Sequence, residues 1–213
     1  MQLYSFFNSS TSYRVRIALA LKDVHYTCHG VNIRVGEQRF ADYAALNPSK
    51  SVPLLVDDNG TTLSQSMAII DYLDARFPEP RLIPVEPRLR ARVLEVANGI
   101  ACDMHPLNNL RVLGYLKNEL GVTDAQKDAW YGHWAREGFN ALETLLQRYG
   151  DAPYCFGQTP TLADVCLVPQ VANVLRMGFD MAAYPRVMAV YEHCQRQSAF
   201  EQAAPSAQPD FQA

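Results

Sequence analysis

Apolar and polar positions divide the chain into two unlike stretches. Over the first 77 residues, short β-prone runs alternate with helix-like ones. Gln2 to Phe6 reads as a strand, followed by the cap-forming cluster Asn8-Ser9-Ser10-Thr11-Ser12. Val15, Ala18 and Leu19 then stand at i, i+3 and i+4, the spacing of one helix face, and the helix ends near Lys22 and Asp23. Ile17 and Leu21 make its other side apolar too, which predicts burial on more than one face. His25 to Ile33 is a second strand, Glu37 to Leu46 a short helix and Pro53 to Val56 a third strand. Asp58-Asn59-Gly60 is a hairpin turn signal, from which Thr61 to Leu63 returns as a fourth strand. Met67, Ile70, Leu73 and Phe77 line one face of a closing helix.

The order is βαβαββα. A crossover helix makes the first two strands parallel, and the hairpin adds an antiparallel edge, which is a thioredoxin-like topology. Pro78, Pro80, Pro84 and Pro87 then exclude regular helix and predict an extended connection. From Arg88 on, strand patterns cease and helical spacing recurs over 88–119, 124–149, 161–178 and 184–197. The tail from Pro205 holds few large apolar residues and is expected to be loose. The predicted organisation is an α/β thioredoxin-like domain at 1–79, a proline-rich linker at 80–87 and an all-helical domain at 88–213.

Composition removes several functions. The 213 residues are 48% hydrophobic and 19% charged, the balance of an ordinary globular protein. A net charge of -3 and a pI near 5.9 give no basic footprint for nucleic acid or an anionic membrane. An anionic ligand must therefore be held by a few local charges. No apolar run approaches the roughly 18 residues that would span a bilayer, and the start lacks the basic region of a signal peptide. The five cysteines are odd in number, scattered and without a C-x-x-C pair, which argues against a disulfide scaffold or a zinc site. Most should be small buried groups in a reducing, cytoplasmic setting.

Three turns carry candidate chemistry. Ser9-Ser10-Thr11 opens a helix, where free N–H groups and the helix dipole favour an anion and a hydroxyl could lower a thiol's pKa. Val52-Pro53 precedes a strand; a cis bond there would expose backbone to an extended peptide, although base rates favour trans. Gln65-Ser66 opens another helix, with the Ser66 N–H and hydroxyl able to face outward to a carboxylate. Plain capping is the commoner role for each serine. Together, however, the turns lie at one end of a single sheet, where α/β folds gather ligands.

At this point the chain resembles a known family. SSTSYRVRIALALK, ALNPSKSVPLL, QSMAIIDYLDARFP and PTLADVCLVPQVANVLR, in that order, are similar to the zeta class of glutathione transferases, most of all its maleylpyruvate and maleylacetoacetate isomerases. The resemblance implies that reduced glutathione is the cofactor and that a homodimer forms. It implies that Ser9, Ser10 and Thr11 surround the sulfur and that Val52, beside a cis-Pro53, pairs with the cysteinyl backbone. Gln65 and Ser66 would hold the γ-glutamyl carboxylate and Gln38 would reach the glycyl end. His105, Asn109 and Arg111, in MHPLNNLR, would face the same cleft. Arg176 would grip a carboxylate of a small dicarboxylate keto acid. Without the resemblance, Arg176 reads as a surface residue at its helix C-terminus, and His105 as a histidine satisfied by backbone.

The family's usual Ser-Ser-Cys is Ser9-Ser10-Thr11 here, which removes a possible mixed disulfide and leaves Thr11 or Ser9 to donate to the thiolate. Asp164 reads as a structural cap, and Trp130, Trp134 and Phe139 as core or interface. Dinucleotide and metal signatures are missing. The implied activity is cis–trans isomerisation by reversible thiolate addition; the rivals are a conjugating glutathione transferase and a non-enzymatic binding module of the same fold.

Overall fold

The computed structural model describes residues 1–150 and 152–212. They form two compact units: Met1–Leu82 together with the residues from Gln195 on, and Ile83–Cys194.

In the first unit, four strands among the described residues form one sheet. They are β1 (Gln2–Ser5), β2 (Thr27–Gly30), β3 (Leu54–Val56) and β4 (Thr62–Ser64), in the order β2-β1-β3-β4. β1 and β2 are parallel with Leu3 opposite Cys28, while β3 lies antiparallel to both β1 and β4. The helices are α1 (Ser10–Leu21), α2 (Ala41–Leu46) and α3 (Ser66–Arg76), which gives the predicted βαβαββα order. Alternation along the strands splits the core. Leu54 joins Phe6, Phe7, Val31, Tyr43 and Val52 in one cluster, with Tyr4 packed against it. Leu3 and Leu55, pointing the other way, are fully buried as well.

α1 is buried almost all round, as its two-sided apolar pattern predicts, and it also buries two arginines. Arg16 is matched by acceptors: Nε donates to the Ala203 carbonyl at 2.9 Å, Nη2 to Phe7 at 2.9 Å, and Nη1 to Ser5 Oγ at 3.0 Å and Phe6 at 3.3 Å. A buried guanidinium without such partners would be strongly destabilising. Burial pulls its pKa down to about 10, so it stays protonated at neutral pH.

The predicted 37–46 helix is two pieces. A 3-10 turn at Glu37–Arg39 ends at Phe40, whose extended backbone restarts the chain as α2. Beyond α3, Lys22 Nζ donates to Asp74 Oδ1 at 2.8 Å and to the carbonyls of Phe77 and Pro80 at 2.7 and 2.8 Å. That buried ion pair pins the proline-rich connection as ordered, extended chain.

The tail corrects its expectation. α9 (Ser198–Ala203) packs on α1, with Phe200 fully buried. Past Pro205, Gln208 is buried and Asp210 accepts a hydrogen bond from the Phe7 N–H at 2.9 Å. A polar segment is held here by hydrogen bonds and by the Phe211 ring against Phe7, which hydrophobic patterning does not register.

The second unit holds α4 (Pro87–Asn98), α5 (Leu110–Asn118), α6 (Asp124–Tyr149) and α7 (Leu162–Arg176), with α8 (Pro185–Gln195) closing it. The single helix predicted over 88–119 is broken. α4 runs into a π-helical turn, Gly99–Met104, then a 3-10 turn, Pro106–Asn108. Pro106 cannot donate a helical hydrogen bond, and Asn109 caps a new start by accepting from Val112 N at 3.1 Å. α7 opens with the capping box: Asp164 is fully buried and accepts from Thr161 N at 2.8 Å, Thr161 Oγ1 at 3.0 Å and Cys155 N at 2.7 Å. Burial still pushes its carboxyl above the usual range, against the pull of those donors. No helix among the described residues is long and apolar enough to cross a membrane.

Candidate active site

β1 delivers the chain to a tight turn at Phe7 and Asn8, closed by Ser9 N donating to the Phe6 carbonyl at 3.0 Å. Ser9 is the N-cap of α1: its backbone is extended, and its Oγ accepts from Ser12 N at 3.2 Å. The first turn of α1 carries no acidic residue, so nothing in it neutralises the positive end of the helix. Ser10 is buried, and Ser9 and Thr11 are half-buried.

The hydroxyl hydrogen bonds can be counted. Thr11 Oγ1 donates its single proton to the Val52 carbonyl at 2.9 Å. The 2.9 Å bond between Ser9 Oγ and Thr11 Oγ1 must then use the proton of Ser9. Thr11 thus ties the helix start to the Val52-Pro53 turn, and the Ser9 hydroxyl is the one whose proton goes only to another hydroxyl. The Val52–Pro53 bond is cis, as the family resemblance implied and against the base rate. Val52 is buried, and its carbonyl keeps one lone pair beyond the bond from Thr11.

α3 begins at the third turn. Gln65 has φ 72°, a left-handed value that a non-glycine residue holds at a cost of about 1–3 kcal/mol, and such strain gathers at binding sites. Gln65 is exposed, whereas Ser66 corrects its expectation: it is 4% exposed, and its Oγ accepts from Arg14 Nη1 at 3.5 Å. The hydroxyl therefore faces α1; the helix end itself still offers backbone N–H groups. Gln38, in the 3-10 turn, is buried with an Oε1 that has no hydrogen-bond partner among the described residues. The uncapped helix start at Gln65 and the acid-free α1 end offer N–H donors, and the orphaned Gln38 oxygen offers an acceptor, a combination that suits a small anionic peptide such as glutathione.

The second unit places its candidates on connected elements. Asn108 Nδ2 donates to the Tyr131 carbonyl at 3.0 Å, and Trp130 Nε1 to Leu107 at 2.9 Å, which anchors the segment bearing His105 and Asn109 to α6. Asn109 spends its side-chain oxygen as the α5 cap, and Arg111 is exposed as the second residue of that helix. From α6, the Tyr131 hydroxyl donates to Asn173 Oδ1 at 2.5 Å, three residues before Arg176. Burial pushes the Tyr131 hydroxyl well up, and the nearby Arg176 charge pulls it down. Arg176 itself is exposed as the last residue of α7. Tyr131 and Asn173 were not among the sequence candidates, because an isolated Tyr and an isolated Asn on helices carry no motif. Phe139 is fully buried, as its spacing predicts.

Comparison with known proteins identifies the family. Residues 8–76 match the glutathione S-transferase N-terminal domain, and residues 128–193 the C-terminal domain. A probable maleylacetoacetate isomerase of Vibrio cholerae is 46% identical over 98% of this chain and 97% of its own. The chain belongs to the zeta class of the glutathione S-transferase family. The holo structure of a maleyl pyruvate isomerase, described as a bacterial zeta-class glutathione S-transferase, superposes over all of both chains with a TM-score of 0.96 and 44% identity. A maleylacetoacetate isomerase of Anaeromyxobacter dehalogenans, 35% identical with a TM-score of 0.88 over 100% of this chain and 97% of its own, holds dicarboxyethyl glutathione and citrate in its active site.

Within that family the departure at Thr11 gains a physical meaning. A cysteine thiol is a weak donor, whereas the threonine hydroxyl makes a full hydrogen bond to Val52. None of the five cysteines forms a disulfide; Cys155, Cys166 and Cys194 are buried, Cys28 is half-buried and Cys102 is exposed. Among the described residues, no cluster of three or more His, Cys, Asp or Glu could hold a metal ion.

Proposed function

We propose that this chain is a glutathione-dependent cis–trans isomerase that converts maleylpyruvate to fumarylpyruvate, or maleylacetoacetate to fumarylacetoacetate. The observation that carries the reading is the Ser9 turn: an acid-free helix start whose cap hydroxyl holds a movable proton, in a chain similar along its whole length to such isomerases. Glutathione, when bound, supplies a thiol nucleophile for reversible addition to the substrate's electron-poor double bond.

The protein's part is to hold, charge and orient. Ser9 turns its proton from Thr11 to the sulfur, favouring the thiolate, while the α1 N-terminus adds its partial positive charge. Ser10 completes the turn around the sulfur. Thr11 stays committed to Val52 and keeps that backbone, with Pro53, aligned for an extended peptide. Gln65 and the Ser66 N–H take the γ-glutamyl carboxylate, and Gln38 the glycyl end. In the helical unit, Arg176 takes a substrate carboxylate and stabilises enolate charge. His105, Asn109 and Arg111 complete the ligand-binding set, with the amide nitrogen of Asn109 as its remaining donor. The enzyme works in the cytoplasm as a homodimer, a reading that rests on its family.

One observation favours a second reading. Dicarboxyethyl glutathione, bound by the Anaeromyxobacter relative, is a thioether of glutathione and a four-carbon diacid, the outcome of addition without elimination. A conjugating transferase would stop there.

The test follows ultraviolet absorbance of maleylpyruvate and of maleylacetoacetate, with and without glutathione. The fumaryl product should form only when glutathione is present, and Arg176→Ala should raise the substrate KM about tenfold, with Arg176→Lys between the two. Failure of both substrates to turn over would refute the isomerase reading.

A further inference from the structure

We infer that the C-terminal segment is part of the scaffold that sets the Ser9 turn, with Asp210 as a positioning residue. The inference rests on Ser9 acting on glutathione, as proposed above, and extends it to a residue 201 positions away in the chain.

The turn from β1 to α1 is short, and its backbone groups are held from outside. The Phe6 and Phe7 carbonyls accept from Arg16, and the Ser9 N–H closes on Phe6. The Phe7 N–H has no helix or strand to serve, and its acceptor is Asp210 Oδ2 at 2.9 Å. Phe7 is 3% exposed, so without Asp210 this N–H would be buried and unpaired. Phe211 reinforces the contact, packing edge-on against the Phe7 ring with centroids 5.4 Å apart.

Two features show that the rest of the unit accommodates this strap. Gly30, on the edge strand β2, leaves the space that Asp210 fills: a Cβ there would stand 3.1 Å from Asp210 Cβ. The root of the strap is fixed to the same clamp, because Arg16 Nε donates to Ala203 while its Nη atoms hold the turn. Gln208 Nε2 then donates to Gln202 and Ala204, each at 3.0 Å, bending the chain back toward β1. Asp210 and Arg16 therefore grip the turn through its N–H and its carbonyls respectively. Phe7 is two peptide units from Ser9, so slack at Phe7 reaches the hydroxyl that faces the sulfur.

Full-length protein is compared with Asp210→Ala and with Asp210→Asn, whose amide oxygen still accepts from Phe7. The readouts are glutathione affinity by fluorescence titration, the ultraviolet titration of the bound thiol, and hydrogen exchange of the Phe6–Ser10 backbone without ligand. Asp210→Ala should weaken glutathione binding about three- to tenfold, move thiolate formation to higher pH and speed that exchange, while Asp210→Asn stays within about twofold. If Asp210→Ala does not fold, Gly30→Ala carries the same test by pressing on Asp210, with the same three changes expected. Unchanged affinity, thiol titration and exchange, even with a lower melting temperature, would overturn the inference and leave Asp210 a purely structural contact. Wild-type protein that binds no glutathione would overturn the proposed function and this inference together; normal wild-type binding with unaltered variants overturns this inference alone.

Discussion

Two helices of this chain begin with the same chemistry and end up with opposite roles. α1 starts at Ser9 and α7 at Thr161, each a hydroxyl residue in extended backbone. At α7 the free helix end is filled from within: Asp164 brings its own anion into the first turn and takes the N–H groups of Thr161 and Cys155. At α1 the first turn has no acid, only hydroxyls that bond to one another and to Val52. Both ends carry a partial positive charge. One satisfies it permanently and becomes a fixed point of the core, while the other has no acid of its own in the first turn and, in the function proposed above, takes its anion from solution. The difference between a structural cap and a binding site is thus whether the chain supplies the counter-charge itself.

Substitutions at the two ends should separate these roles. The largest effect belongs to the closed end: Asp164→Ala leaves two buried N–H groups unpaired and should cost about 3 kcal/mol in denaturant unfolding, with activity per folded molecule retained. Next is the open end, where Ser9→Ala should lower kcat/KM about 100-fold in the isomerase assay while changing stability by no more than about 1 kcal/mol. The smallest effect comes from making the open end resemble the closed one. Thr11→Asp places an anion in the first turn of α1 but gives up the hydroxyl bond to Val52. Glutathione affinity measured by calorimetry should drop about fivefold, with stability changed by no more than about 1 kcal/mol as the favourable dipole contact offsets the lost bond. Equal losses of stability and activity at both ends would erase the distinction.

The open end was legible because capping chemistry is local: Ser9, Ser10 and Thr11 announce a helix start within three residues, and Asp164 announces the other at the spacing of a capping box. The βαβαββα order was legible for the same reason, since each strand and turn carries its own signal. What the sequence hid depends on distant or competing contacts. The Thr11 bond to Val52 spans 41 positions, and it is this bond that singles out Ser9 as the hydroxyl with a movable proton. The Ser66 hydroxyl turns inward because Arg14, on a different helix, donates to it. The break near His105 lay inside continuous helical spacing, where only Pro106 and the Asn109 cap interrupt the pattern. The bond from Phe7 to Asp210 crosses 203 positions, beyond the reach of any periodicity.

The central claim is that this chain uses glutathione without spending it, and the most direct measurement is the yield of fumaryl product per glutathione when the thiol is far below the substrate. The account predicts complete conversion, with many product molecules formed per glutathione and the free thiol undiminished at the end. Conversion that stops once one substrate molecule per glutathione has reacted, with the thiol lost to a thioether, would contradict it and make the chain a conjugating transferase.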